Sequence, residues 1–180
     1  MNVRDQFKNM DVVDIKKSYV NGTIPAAAAM MHVTGDFNLS TLIRNANFFG
    51  YEKVFYVGGK KSYDRRGTVG THHYIDVDFI KTEEEFLSSI KDAGYVPVAV
   101  ENNVNYNCNN LYDFDFETIF LTEKPVFIFG EEQKGLSNFM LDNCEYIITI
   151  PARGTVRSLN VGTASGIVLG HYSQYFIDAI

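Results

Sequence analysis

Two arginines, a serine and an asparagine crowd the run from Arg153 to Asn160, directly after the apolar run Tyr146 to Ile150. Pro151 and Gly154 stop that apolar run, which reads as a buried strand, from continuing. Ser158 is a good N-cap residue for the helical pattern that follows to Phe176. A strand, a donor-rich loop and a helix N-terminus together are how α/β proteins build sites for small molecules and anions. A second loop, Gly130 to Gly135, follows the apolar run Pro125 to Phe129. Its two glycines let backbone N–H and C=O groups approach a ligand closely, although a plain tight turn has the same composition. A third loop, residues 101–110, holds six Asn and follows Tyr95 to Val100. Among the cations, Arg44 falls on the polar side of a helical pattern over Leu39 to Phe49. It shares that side with Ser40, Thr41 and Asn47, opposite Leu42, Ala46 and Phe49. Lys60, Lys61, Arg65 and Arg66 crowd the loop 58–70. That loop is not a Walker A phosphate loop, because Val54 stands where the required glycine would be.

The elements that must position these groups alternate. Strand-like runs cover Ala26–Val33, Lys53–Val57, Tyr74–Ile80, Tyr95–Val100, Pro125–Phe129 and Tyr146–Ile150. Helical runs follow Asn38, which suits an N-cap, and the capping box Thr82–Glu85. Leu111 to Phe116 alternates apolar residues with Asp and reads as a short edge strand or extended segment. The alternation predicts an α/β fold with a parallel sheet covered by helices on both faces. Residues 1–24 read as an N-terminal helical extension, helical over Arg4 to Tyr19, and residues 25–180 as one domain. Gly162, Gly166 and Gly170 recur every four residues on the last helix. Each costs about 1 kcal/mol against Ala, so something must pack very close to that stripe: a helix or a strand, within the chain or across subunits.

A net charge of −6 argues against coating nucleic acid by bulk attraction, yet leaves room for a local basic patch. No apolar run reaches the length needed to span a bilayer, and the polar N-terminus is no signal peptide, so a cytoplasmic protein is expected. Cys108 and Cys144 lack metal-ligand spacing and read as reduced thiols. His32, His72, His73 and His171 form no ligand cluster legible in the sequence, and no metal is expected.

Three of these stretches, in order and spacing, resemble the motifs of the SpoU (TrmH-type) RNA 2′-O-ribose methyltransferases of the SPOUT superfamily. They are Asn38 to Gly50 with Arg44, Phe129 to Leu136 with Gly130, Glu132 and Gly135, and Ile150 to Val161 with Ser158, Leu159 and Asn160. The resemblance covers roughly residues 25–176 and implies a SPOUT fold with a C-terminal trefoil knot. It implies S-adenosylmethionine as methyl donor, leaving as S-adenosylhomocysteine, held largely by backbone at positions matching Val100, Gly130, Ile150 and Leu159. It implies a catalytic set of Arg44, Ser158, Asn160, Glu132 and Asn38, completed in a homodimer, with no metal and no membrane. RNA would be met by Lys60, Lys61, Arg65, Arg66, Arg153 and Arg157. Transfer RNA is the favoured substrate because the chain shows no added RNA-binding domain. Ribosomal RNA, or a cofactor- or RNA-binding module without turnover, are the alternatives. Ser40, Glu131, Ala152 and Gly162 depart from the family's usual residues.

Overall fold

The computed structural model describes residues 3–20, 23–31, 36–58, 63–102, 105–131 and 134–179. Seven strands form one sheet: β1 (Ile24–Met31), β2 (Tyr51–Val57), β3 (Asp76–Ile80), β4 (Tyr95–Val100), β5 (Asn109–Asn110), β6 (Lys124–Phe129) and β7 (Tyr146–Thr149). They lie in the order β3-β2-β1-β6-β4-β7-β5, and every pairing is parallel. β1, third in that order, is buried on both faces. Its alternate residues Ala26, Ala28 and Met30 enter one core and Ala27, Ala29 and Met31 the other. A parallel strand covered on both sides reads as an unbroken apolar run, as Ile24 to Met31 does.

Helices α2 (Asp36–Phe48) and α6 (Val161–Ser173) cover the first face, and α3 (Glu83–Asp92) and α5 (Asn138–Asp142) cover the second. The N-terminal segment holds a 3₁₀ turn at Asp5–Phe7 and the helix α1 (Val12–Val20), in place of one helix from Arg4. Ile15 is buried, the Tyr19 hydroxyl donates to the Tyr51 carbonyl, and Lys16 pairs with Asp76 at 2.5 Å, so α1 docks against the sheet. Half of the capping box forms at α3: the Thr82 hydroxyl accepts from the Glu85 N–H at 3.2 Å, while the Glu85 carboxylate accepts from the Lys81 N–H at 3.3 Å instead of from Thr82.

Further expectations change here. Asn38 does not cap α2, because the helix begins two residues earlier, at Asp36. Leu111 to Phe116 is not a strand. Leu111, Phe114 and Phe116 are buried in a cluster of rings with Phe120, Phe127, Tyr146 and Tyr172. The short helix α4 (Phe116–Ile119), capped by Asp115, begins inside that stretch. Burial of Phe114 and Phe116 from a turn that runs into a short helix produces the same period as a strand.

Ser40, expected on the polar side of α2, is fully buried. Its hydroxyl donates to the Asp64 carbonyl. A Cβ at Gly67 would lie 2.7 Å from the Ser40 Cβ, so a glycine at 67 is what makes room for the serine. The segment 63–70 is thereby fastened along the first half of α2.

Candidate functional site

The registers of β4, β6 and β7 bring three loops to one place. Val100 stands beside Phe129 and beside Ile148, and the Glu101 N–H donates to the Ile148 carbonyl at 3.0 Å. The chain therefore leaves β4, β6 and β7 side by side, at the carboxyl ends where open α/β sheets bind ligands. Between the three loops lies a cleft of about 480 Å³. Val100, Gly130, Ile150 and Leu159 all line it, as do Ser158, Arg153 and Arg157.

The loop after β6 folds back on itself, with Glu131 and Gly135 exchanging both backbone hydrogen bonds at 3.2 and 2.9 Å. A Cβ at Gly130 would collide with the Gly135 backbone, and Gly135 has a φ of +68°. Both glycines are thus required by the turn itself. Lys134 pairs with Glu131 at 4.0 Å. Glu132 lies outside the described residues, as do Lys60 and Lys61.

Two residues without any sequence signal hold the loops together. The Glu101 carboxylate accepts from the Leu136 N–H at 2.9 Å and from the Asn102 N–H at 2.8 Å. The Asn102 side chain then donates to the Arg157 carbonyl at 2.6 Å. One dipeptide at the end of β4 thereby fixes both the 130–136 loop and the 150–161 loop. The nearby Cys108 thiol is pushed up in pKa, by burial first and by the Glu101 charge second.

Asn160, and not Ser158, caps α6: its side-chain oxygen accepts from the Thr163 N–H at 3.1 Å. Its amide group donates to the Asn38 side chain at 3.0 Å, which ties the start of α6 to the start of α2. Ser158 is left exposed on the cleft wall. The glycine stripe is filled within the chain by α2. A Cβ at Gly162 would meet Thr41 at 3.0 Å, one at Gly166 would meet Asn45 at 3.3 Å, and one at Gly170 would meet Phe49 at 3.0 Å. Both sets are spaced by four, as ridges and grooves of two packed helices require. Asn45 also donates to the Gly162 carbonyl at 3.2 Å and to Ser165 at 3.1 Å.

Arg44 does not line the cleft. It is exposed on α2, between the Thr41 ridge that meets α6 and the Ser40 ridge that meets the 63–70 segment. It makes no ion pair among the described residues. Phe37 and Phe48, 60% and 80% exposed, lie within about 40° of Arg44 on the same helix face, at 100° per residue. Arg66 differs: Asp64 grips its guanidinium with bonds of 2.5 to 3.0 Å, which also holds the Asp64 carboxyl below the usual range. Arg65, Arg153 and Arg157 are exposed.

Val100, Phe129, Ile150 and Val161 give the cleft an apolar side, and Glu101, Glu131, Lys134, Ser158, Arg153 and Arg157 give it a charged and polar one, a mixed lining able to hold a ligand with both kinds of surface. No group of His, Cys, Asp and Glu suited to a metal ion occurs among the described residues.

Comparison with known proteins gives the following. Residues 26–170 match the model of the SpoU rRNA Methylase family. The tRNA (guanosine(18)-2'-O)-methyltransferase of Aquifex aeolicus is 27% identical over 144 residues, covering 77% of this chain and 64% of that protein. The 23S rRNA (guanosine-2'-O-)-methyltransferase RlmB of Pseudomonas aeruginosa is 26% identical over 151 residues, covering 81% of this chain and 57% of that protein. The chain thus spans less than two thirds of the length of these curated relatives. Among solved structures, the A. aeolicus TrmH/SpoU tRNA modifying enzyme superposes with a TM-score of 0.78 at 21% identity, over 93% of this chain and 83% of that one. The SpoU methyltransferase AviRb of Streptomyces viridochromogenes, in complex with AdoMet, gives 0.72 at 23% identity, over 87% and 62%.

Proposed function

From the premise that the chain belongs to the SpoU rRNA Methylase family, we propose that it transfers a methyl group from S-adenosylmethionine to a ribose 2′-hydroxyl of RNA. The observation that carries this reading is the meeting of Val100, Gly130, Ile150 and Leu159 in one cleft, with a solvent-facing Arg44 on the neighbouring helix. The resemblance behind those assignments includes the trefoil knot of the fold.

The cofactor fits the donor set. Apolar walls suit an adenine ring, and the chain ends of β4, β6 and β7 offer backbone groups for its polar edge. When bound, the sulfonium supplies an already activated methyl group. The protein's share is positioning and charge. Glu101 and Asn102 keep the two loops at a fixed separation, so the cleft is formed before a ligand arrives. Arg44 stays protonated, so it does not serve as a simple base. Its fork suits the phosphate beside the reacting ribose and stabilises negative charge as the 2′-hydroxyl releases its proton to water. Ser158 faces the cleft and is available to the ribose, whereas Asn160, joined to Asn38, acts by setting α2 against α6. Glu132 belongs to the same catalytic set by resemblance. Arg65, Arg153 and Arg157 give phosphate contacts, with Arg66 already held by Asp64.

Transfer RNA is the favoured substrate; the A. aeolicus relative is named for tRNA and the P. aeruginosa one for 23S rRNA. Incubating the protein with labelled S-adenosylmethionine and separate tRNA and rRNA pools, then mapping 2′-O-methyls, tests both. Gain of methyls in the tRNA pool is expected. Cofactor binding with no methyl gained in either pool would establish a binding module without turnover.

The homodimer is part of this reading. Phe37 and Phe48 beside Arg44 are an apolar surface that a second copy would cover, closing water away from the arginine. Phe48→Asp is expected to halve the mass seen in sedimentation; an unchanged mass removes this face from the interface.

A further inference from the structure

A second cavity, of about 450 Å³, lies on the far side of α2 from the cleft, bounded by the edge strand β3, the helix α1 and the segment 63–72. Tyr63, Arg65, His72 and Phe79 line it, beside Lys16 and Asp76. Tyr63 and Phe79 are half-buried rings stacked at 6.1 Å with planes 25° apart. Phe79 in turn meets the buried Tyr56 edge-on at 6.0 Å. The result is an aromatic ladder that starts in the core and ends at the cavity. Arg65 is exposed and makes no ion pair among the described residues, while Lys16 is already paired with Asp76.

His72 adds an acceptor. The single proton of the Thr68 hydroxyl is spent on the Arg65 carbonyl at 2.8 Å. Its oxygen therefore accepts from His72 Nδ1–H at 2.6 Å, which leaves Nε2 of a neutral imidazole as the acceptor. Burial, then His73 and Arg65, hold this imidazole below its usual pKa and keep it neutral.

Stacking rings, a guanidinium with no ion pair among the described residues and a nitrogen acceptor in one cavity are groups that recognise a single unstacked nucleotide. We propose that this cavity holds one unpaired nucleotide of the RNA substrate, its base against Tyr63 and Phe79 and its phosphate on Arg65. The proposal rests on the RNA reading above. It gives the segment 63–72 a second task besides its packing on α2. Because Ser40 and Gly67 fasten that segment to the Arg44 helix, a nucleotide held here fixes the register of the strand that reaches Arg44.

The test uses a short single-stranded RNA carrying one 2-aminopurine, whose fluorescence falls on stacking, together with methylation kinetics on the RNA pool. Tyr63→Ala is expected to abolish the quenching and to weaken RNA binding by about 10-fold, while Tyr63→Phe keeps both. Arg65→Ala, at an exposed side chain, is expected to raise KM for RNA several-fold with affinity for S-adenosylmethionine unchanged. If the parent methylates RNA but neither Tyr63→Ala nor Arg65→Ala changes quenching or KM, the cavity is not a nucleotide site and the methyltransferase reading stands. If the parent quenches through Tyr63 yet methylates no pool, the nucleotide site stands and the reading of activity fails.

Discussion

In the proposed reaction, Arg44 would draw its chemistry from having no carboxylate paired with it among the described residues. Arg66 is neutralised by Asp64 and Lys134 faces Glu131, but the Arg44 guanidinium has no such neighbour among the described residues. A cation placed in this way is available to a phosphate without first breaking an internal bond. Arg44→Ala is therefore expected to lower kcat by about 10²- to 10³-fold while leaving the dissociation constant for S-adenosylmethionine unchanged, measured by single-turnover kinetics and calorimetry. Arg44→Lys, which keeps the charge and loses the fork, should fall between. The position of Arg44 was legible in the sequence because the helical period puts it opposite Leu42 and Ala46. The cap of α6 was not. Ser158 and Asn160 are both good caps two residues apart, and only the bond from the Thr163 N–H decides between them. Glu101 and Asn102 carried no signal at all, since one carboxylate at the head of an asparagine-rich loop matches no motif.

At the scale of elements, the α2–α6 contact is set by which side chains meet the three glycines. The spacing of Gly162, Gly166 and Gly170 announced a close contact, but the partner stripe Thr41, Asn45 and Phe49 lies over a hundred residues away and has no unusual composition. Its consequences differ along the helix. At Gly162 a methyl would press on the Cβ and Cγ2 of Thr41, a β-branched residue fixed in its own helix. Gly162→Ala is expected to destabilise by about 1–2 kcal/mol in denaturant unfolding. At Gly170 the neighbour is the far end of the Phe49 ring, which can swing aside. Gly170→Ala is expected to be neutral or to stabilise by up to about 1 kcal/mol through helix propensity. Equal effects at the two sites would mean that the stripe is not read by α2 in this way. The segment 111–120 shows the opposite case, in which a clear period misleads: the rings of Phe114 and Phe116 are buried from a loop and a short helix, and tertiary packing overrides the pattern.

The whole molecule is a sheet whose parallel class was legible from alternation but whose strand order was not. Nothing local in Lys124–Phe129 says that β6 enters between β1 and β4. That insertion decides which loops meet, and hence where the cleft lies. The rings that cover the same face carry a pH dependence. Burial holds the His171 imidazole below its usual pKa, and its buried Nε2 has no hydrogen-bond partner among the described residues. His72 is shifted in the same direction. Below about pH 6.5 the unfolded chain binds protons that the folded chain refuses, so stability is full above that pH and is lost as pH falls through the window. The melting temperature should drop between about pH 7.5 and about pH 5.5, and His171→Phe should reduce that drop.

The late arrival of β6 also bears on how the chain emerges during synthesis. β2 follows β1 closely and pairs one edge, but the other edge of β1 must wait for residues 124–129. Through that interval a central strand stands open to pairing with other chains. The run Ala26 to Ala29 answers this hazard, since alanine is a weak strand former and rewards a wrong partner little. The residues that let β1 be covered on both faces in the finished molecule also keep its waiting edge unattractive.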